Sequence, residues 1–238
     1  GIDYYYVPDP TEFITNITNT HIPENVTINV TKVWNDTNNQ DGMRPVNVTV
    51  ALFKDGILND TILLNESNGW MGSFTDLPKY ANARLINYTV NETKVPVNYT
   101  QEVSNAGNNY TITNTHIPLV TSLNVTKKWD DKNNTDGKRP DVILVQLYAN
   151  NVTEGDPVAL YGGNNWTYLF ENLDKYSNGV LINYTVDEVI VPEGYTKTIT
   201  NKSNNYTIKN THVPELINVT VKKIWNDNDN QDGIRPVG

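Results

Sequence analysis

The chain has 238 residues, and its 18 Lys and Arg against 27 Asp and Glu leave a formal net charge of −9. That balance excludes nucleic acid as a partner, because phosphate recognition needs basic side chains gathered on one face, and it argues equally against contact with an anionic membrane surface. A hydrophobic share of 37 %, below the roughly 45–50 % of an average globular domain, points to small, surface-rich domains, while no apolar run approaches the roughly 20 residues of a membrane helix and no basic-then-apolar leader opens the segment.

In chain order the first 23 residues close on ITNTHIP (17–23), which returns at 112–118 and, as IKNTHVP, at 208–214. Next comes VTKVWNDTNNQDGMRPVNV around Trp34; it returns as VTKKWDDKNNTDGKRPDVI around Trp129 and as VKKIWNDNDNQDGIRPVG around Trp225, spacings of 95 and 96. INYTVNE, ending at Glu92, returns 96 residues later as INYTVDE, ending at Glu188. The chain therefore reads as a window on an array: the tail of one unit (1–23), two whole units (24–118 and 119–214) and the head of another (215–238). Each unit's nearest partners are neighbouring repeats of the same chain, and any targeting signal or anchor is expected outside this window.

Within the first whole unit, runs of Thr, Val, Ile and Tyr with a period of two are bounded by Asn, Asp, Gly and Pro clusters. They predict strands over 26–34, 46–53, 60–64, 70–75, 85–93, 98–103 and 109–115. Nothing carries the period of a long amphipathic helix. Seven short strands in about 95 residues is the pattern of a small β-sandwich, so the expected fold class is all-β, in tandem. Cys is absent, so an extracellular domain of this size would need some staple other than a disulfide. Asn is over-represented and forms nineteen N-x-[ST] sequons; these are glycosylation acceptors in a cell that N-glycosylates its exports, or a by-product of codon bias and of Asn/Thr alternation.

Alternation places three polar residues on the wrong face. Ile28, Val30, Lys32 and Trp34 share a parity, as do Leu123, Val125, Lys127 and Trp129, and Val219, Val221, Lys223 and Trp225 in the cut head. Tyr88, Val90 and Glu92 match Tyr184, Val186 and Glu188; Tyr110, Ile112 and Asn114 match Tyr206, Ile208 and Asn210. Each whole unit thus sends one Lys, one Glu and one Asn inward. An isolated buried charge costs several kcal/mol or more, so the three are expected together. One reading is a buried salt bridge capped by an amide. The other is chemical: desolvation turns the ion pair into a neutral amine beside a neutral acid, the amine attacks the Asn side-chain carbonyl, and a Lys to Asn isopeptide bond forms with loss of ammonia.

The ordered pattern VTKxWxD, DGxRPxxVxVxL, NxWxxxFxxLxKY, INYTVxE and TIxNTHxP resembles the collagen-adhesin B-type (Cna B-type) domain of microbial surface proteins. The resemblance implies tandem prealbumin-like, reversed-immunoglobulin β-sandwiches forming a stalk, extracellular and at the cell surface, with a spontaneous isopeptide bond between first and last strands. It places the promoting acid on Glu92 and Glu188, the lysine on Lys32 and Lys127, and the asparagine on Asn114 and Asn210. Asn19 and Lys223 match the motif but have lost their partners to the window's edges. In the second unit Lys209 replaces Thr113, on an outward parity.

The loops at 34–42, 129–137 and 225–233 have the oxygen ligands of a calcium loop without the EF-hand spacing, since Gly42 falls at the seventh place from Asp36 and no Glu stands at the twelfth; they read as Asx-rich turns, and no metal or cofactor is assigned. His21, His116 and His212 stand singly, without companions for zinc or a catalytic triad. Trp70 and Trp166 read as core packing. Two functions remain: a structural stalk holding a distal head that binds host or cell-surface glycan or protein, and an adhesive module that itself binds glycan or matrix protein. Enzymatic turnover is not expected, because the cross-link forms once per unit.

Overall fold

The computed structural model describes residues 18–236. Residues 1–17 of the expected leading tail, and 237–238 of the expected trailing head, lie outside the described residues. The chain divides into two compact units, the main changeover falling between Leu119 and Val120.

Unit one is built of β1 (Asn25–Asn35), β2 (Asn47–Lys54), β3 (Ile57–Asn65), β4 (Met71–Pro78), β5 (Tyr80–Ala81), β6 (Arg84–Leu85), β7 (Tyr88–Glu92), β8 (Thr100–Ala106) and β9 (Asn109–Thr115). One sheet has the order β4-β1-β9-β8 and the other β3-β2-β7. The chain's period of two decides which side chains meet between them: Ile28 and Val30 from β1, Phe74 and Leu77 from β4 and Ile112 from β9 pack against Val48, Val50 and Leu52 from β2, Leu64 from β3 and Val90 from β7. All pairings are antiparallel except β1 with β9, which run parallel with Lys32 opposite Ile112 and Trp34 opposite Asn114. That parallel pair joins the first and last strands of the sandwich.

The all-β expectation holds, with one strand redrawn. The run expected over 85–93 is two pieces: β6 closes a two-residue hairpin with β5, and β7 begins after the buried Ile86. Asn82 and Ala83 make the turn at φ +49° and +62°, the left-handed pair of a type I′ hairpin, although Ala is not a residue that signals one.

Unit two repeats the arrangement with β10 (Val120–Asp130), β11 (Val142–Ala149), β12 (Val152–Tyr161), β13 (Thr167–Asp174), β14 (Tyr176–Ser177), β15 (Val180–Leu181), β16 (Tyr184–Glu188), β17 (Thr196–Lys202) and β18 (Asn205–Thr211). Its sheets are β13-β10-β18-β17 and β12-β11-β16, and β10 pairs in parallel with β18 in the same register, Lys127 opposite Ile208 and Trp129 opposite Asn210.

The Asp-rich loop after the first strand is a folded corner. Asp36 accepts the Asn39 N–H at 3.0 Å, both ends of the Arg44 guanidinium at 2.6 and 3.0 Å, and the Tyr99 hydroxyl at 2.8 Å. Asp131 does the same with Asn134, Arg139 and Tyr195, and in the trailing piece Asp227 binds Asn230 and Arg235. Each loop turns through three consecutive left-handed residues, such as Thr37, Asn38 and Asn39 at φ +51°, +55° and +61°. Asn tolerates that conformation better than other side chains do, which gives much of the Asn excess a backbone reason. The first buried or half-buried carboxylate of each loop, Asp36, Asp131 and Asp227, is committed to arginine, and among the described residues no group of three His, Cys, Asp or Glu could hold a metal ion.

Asp131 is 2 % exposed, and the Arg139 guanidinium holds its carboxyl down to about 2. A carboxyl lowered in the fold contributes stability above its unfolded value of 3.8, and that contribution is lost as pH falls toward 2. Asp131→Ala strands a half-buried guanidinium and a tyrosine hydroxyl, and is expected to cost unit two about 2 kcal/mol in urea unfolding at pH 7, less than for a fully buried pair. A loss below about 0.5 kcal/mol would show the corner to be dispensable.

Candidate functional site

Parity and pairing bring three polar side chains to one point inside each sandwich. Lys32 on β1 and Asn114 on β9 lie on the same face, two residues apart along adjacent parallel strands, a diagonal that a lysine side chain can span. Glu92, the last residue of β7, enters from the facing sheet. The three are 4 %, 0 % and 7 % exposed in the order Lys, Asn, Glu.

Their contacts centre on the carboxyl group. Asn114 Nδ2 donates to Glu92 Oε1 and Oε2 at 3.1 and 3.0 Å, and Lys32 Nζ stands 3.7 Å from Glu92 Oε1 while donating to the Val33 and Ile112 carbonyls at 2.8 and 3.3 Å. In unit two the bridge is tighter: Lys127 Nζ is 2.9 Å from Glu188 Oε2, and Asn210 Nδ2 is 3.0 Å from Glu188 Oε1. Asn114 Oδ1 and Asn210 Oδ1 are buried without a hydrogen-bond partner. The acid therefore faces the amide nitrogen and leaves the carbonyl oxygen free.

Burial, the dominant influence, lowers Lys32 from 10.5 to about 8 against the opposing attraction of Glu92, and it lowers Lys127 likewise against Glu188. Aromatic rings supply the dry surroundings. Lys32 Nζ lies 4.0 Å from the centre of the Trp34 ring, and Lys127 Nζ lies 4.5 Å from that of Trp129. Trp34 is itself wedged edge-to-face between Trp70 and Tyr99, at ring separations of 5.1 and 5.2 Å, and Trp129 between Trp166 and Tyr195 at 5.4 and 5.1 Å.

Trp70 and Trp166 do pack inward as the sequence suggests, but with a backbone that the sequence does not announce. Both are left-handed, at φ +59° and +58°, a conformation that is costly for a bulky residue. Each carbonyl in turn accepts the backbone N–H of the site lysine at 2.8 Å. The strain fixes the lysine's strand and its aromatic cover together.

The other motif residues fall apart from this cluster. Asn19 and Lys223 are exposed, and the Lys223 amine rests on Trp225. Lys209 points outward to Asp130. The histidines that stand singly in the sequence gain acid partners from the Asp-rich loops: His116 Nε2 lies 2.8 Å from Asp41 Oδ2, and His212 Nε2 lies 2.9 Å from Asp136 Oδ2. The same aspartate oxygens accept the Leu119 and Glu215 N–H groups, pinning the segment that leaves each last strand. Neither histidine touches the Lys/Glu/Asn cluster.

The family model of the Cna protein B-type domain matches residues 28–115 and 123–211. The collagen adhesin of Staphylococcus aureus is 42 % identical over 221 residues, covering 92 % of this chain and 18 % of that protein, so the chain spans less than a fifth of that relative. Among solved structures, two B repeat units of the collagen binding protein of S. aureus share 40 % identity over 90 % of this chain and 56 % of theirs, with a TM-score of 0.44. A single B repeat unit of that protein shares 38 % identity over 80 % of this chain and all of its own, with a TM-score of 0.39.

Proposed function

Since the chain belongs to the Cna protein B-type domain family, we propose that it is a piece of the extracellular stalk of a cell-surface adhesin, in which each whole repeat is stapled by one Lys to Asn isopeptide bond. The repeats are 24–118 and 119–214, between the tail and head of neighbouring ones. The bonds join Lys32 to Asn114 and Lys127 to Asn210.

One observation carries the reading: in both units a single carboxyl group contacts the amine and the amide nitrogen. The reaction must take a proton off the lysine and deliver one to the nitrogen that leaves. Glu92 and Glu188 stand where both transfers occur. The neutral amine attacks Cγ, the Cγ–Nδ2 bond breaks, and the nitrogen departs as ammonia with the relayed proton, so the amine and primary amide become a secondary amide plus ammonia. The event happens once per repeat and is not turnover. Ligand binding, to host or cell-surface glycan or protein, belongs to a distal head, and among the described residues no helix is long and apolar enough to cross a membrane.

The adhesive-module reading has one observation in its favour. A groove beside the start of β11 is apolar in unit two, where Pro140, Val142, Leu144, Val189 and Ile190 line it, whereas unit one has Asn47, Thr49, Thr93 and Lys94 at the corresponding places.

The intact mass of the folded chain is expected to fall below its sequence mass by two ammonia molecules, one per unit. A mass equal to the sequence leaves two buried salt bridges and removes the staple.

A further inference from the structure

The two units differ in a matched pair of residues beside the cluster. On the side of β18 away from Lys127, β17 sets Lys197 directly opposite Asn210; in unit one β8 sets Gln101 opposite Asn114. Cross-strand partners share a face. Unit two therefore sets two lysines beside one asparagine, Lys127 on β10 and Lys197 on β17, and unit one sets a single lysine there. The second change lies next to the acid: the residue before Glu188 is Asp187, where unit one has Asn91 before Glu92. Lys197 Nζ is ion-paired with Asp187 Oδ1. That oxygen also accepts the Glu188 N–H at 2.8 Å, which holds the aspartate in place.

We infer that Asp187 is a specificity-determining residue, which keeps Lys197 from reacting and reserves Asn210 for Lys127. The inference rests on the cross-linking reading above. Ion-paired with Asp187 at the half-exposed rim, the Lys197 amine is engaged by that carboxylate and must break the pair before it can attack. Its positive charge also acts on Lys127, adding to the burial that lowers that amine. Without Asp187, Lys197 becomes a competitor for the same carbon. Its Nζ attacks Asn210 Cγ, its proton passes through Glu188 to Nδ2, and ammonia leaves, giving an amide of identical chemistry in the wrong place. That product closes only 210 − 197 = 13 residues and ties together two strands of one hairpin. The correct bond spans 210 − 127 = 83 residues and joins the first strand of the unit to its last. A second amine facing the asparagine is thus harmless only with its own acid, and unit one, lacking the amine, lacks the acid as well.

The test compares full-length chains by intact mass and by peptide mapping of the cross-linked fragments. The parent is expected to yield the Lys127–Asn210 fragment, Lys127→Met to lose unit two's bond, and Lys127→Met with Asp187→Asn to regain it as Lys197–Asn210. Adding Lys197→Arg should abolish it again. A Lys197–Asn210 bond in Lys127→Met alone means that Asp187 is no gate, and a folded but unlinked double variant means that Lys197 cannot reach; either overturns the inference while leaving the parent's bond standing. An unlinked parent overturns the cross-linking reading itself. Should the double variant fail to fold, Asp187→Asn alone decides: a mixed population is expected, and the Lys127–Asn210 fragment alone counts against the inference.

Discussion

Glu92→Gln is expected to leave unit one folded and unlinked, so that the full chain loses one ammonia rather than two and mapping finds only the unit-two bond. Gln has the same shape and can still bond to both neighbours, but it cannot take the amine's proton and pass it to Asn114 Nδ2. Loss of a positioned proton carrier costs roughly 10²–10⁴-fold in rate. The pH dependence of the parent follows from the lysine. Burial sets Lys32 at about 8, so at pH 7 about one amine in ten is neutral, against about one in three thousand at the ordinary value. The sign is that of a group losing a proton to become reactive: linkage of chains kept in denaturant from synthesis onward, and first folded at a set pH, should quicken about tenfold per pH unit and level off above about 8. If the Glu92→Gln chain links at the parent's rate, Glu92 has no part in the mechanism.

The cluster is legible because it lies on strands. With a period of two, one polar residue among Ile28, Val30 and Trp34 is visible as a residue on the inner face, and the same holds for Glu92 and Asn114; all three are buried. Loops have no period, so the equally buried Asp36, Asp41 and His116 stay hidden. The Asp36–Tyr99 and Asp41–His116 pairs are 63 and 75 residues apart, and the visible trace of the second is only the recurrence of DG and NTH in both whole units. The strain at Trp70 leaves no trace, because a left-handed tryptophan is what local preference excludes. The break in the strand expected over 85–93 is invisible for a related reason: Ala83 takes a turn conformation that Gly or Asn would have advertised. The Asn excess reads as sequons or codon bias in the sequence, whereas Asn38, Asn39, Asn133 and Asn134 show it also meeting the demand of left-handed corners. Lys197 does leave a signal, the joint change from Asn91 and Gln101 to Asp187 and Lys197.

Under tension, a linked unit one should release only its flanks. Force enters at the start of β1 and leaves at the end of β9, two strands that lie side by side and parallel. Opposed pulls on parallel neighbours shear the hydrogen bonds between them, and without a covalent tie these give way and the whole sandwich unravels. With Lys32 joined to Asn114, the load runs along β1 to Lys32, across the amide, and out through the last residue of β9. The 81 residues between them, 33–113, never carry it. At roughly 3.3–3.6 Å per residue they represent about 270–300 Å of contour that stays hidden. By analogy with a disulfide closing a loop of that size, the same tie restricts the unfolded chain by about 4–5 kcal/mol, and an amide, unlike a disulfide, is indifferent to reductant. In single-molecule pulling of the full chain, Lys32→Met should therefore add one extension step of about that length while leaving unit two's behaviour unchanged. If the parent's unit one already extends fully, the bond does not bear load, and the apolar groove of unit two becomes the better guide to what these repeats do.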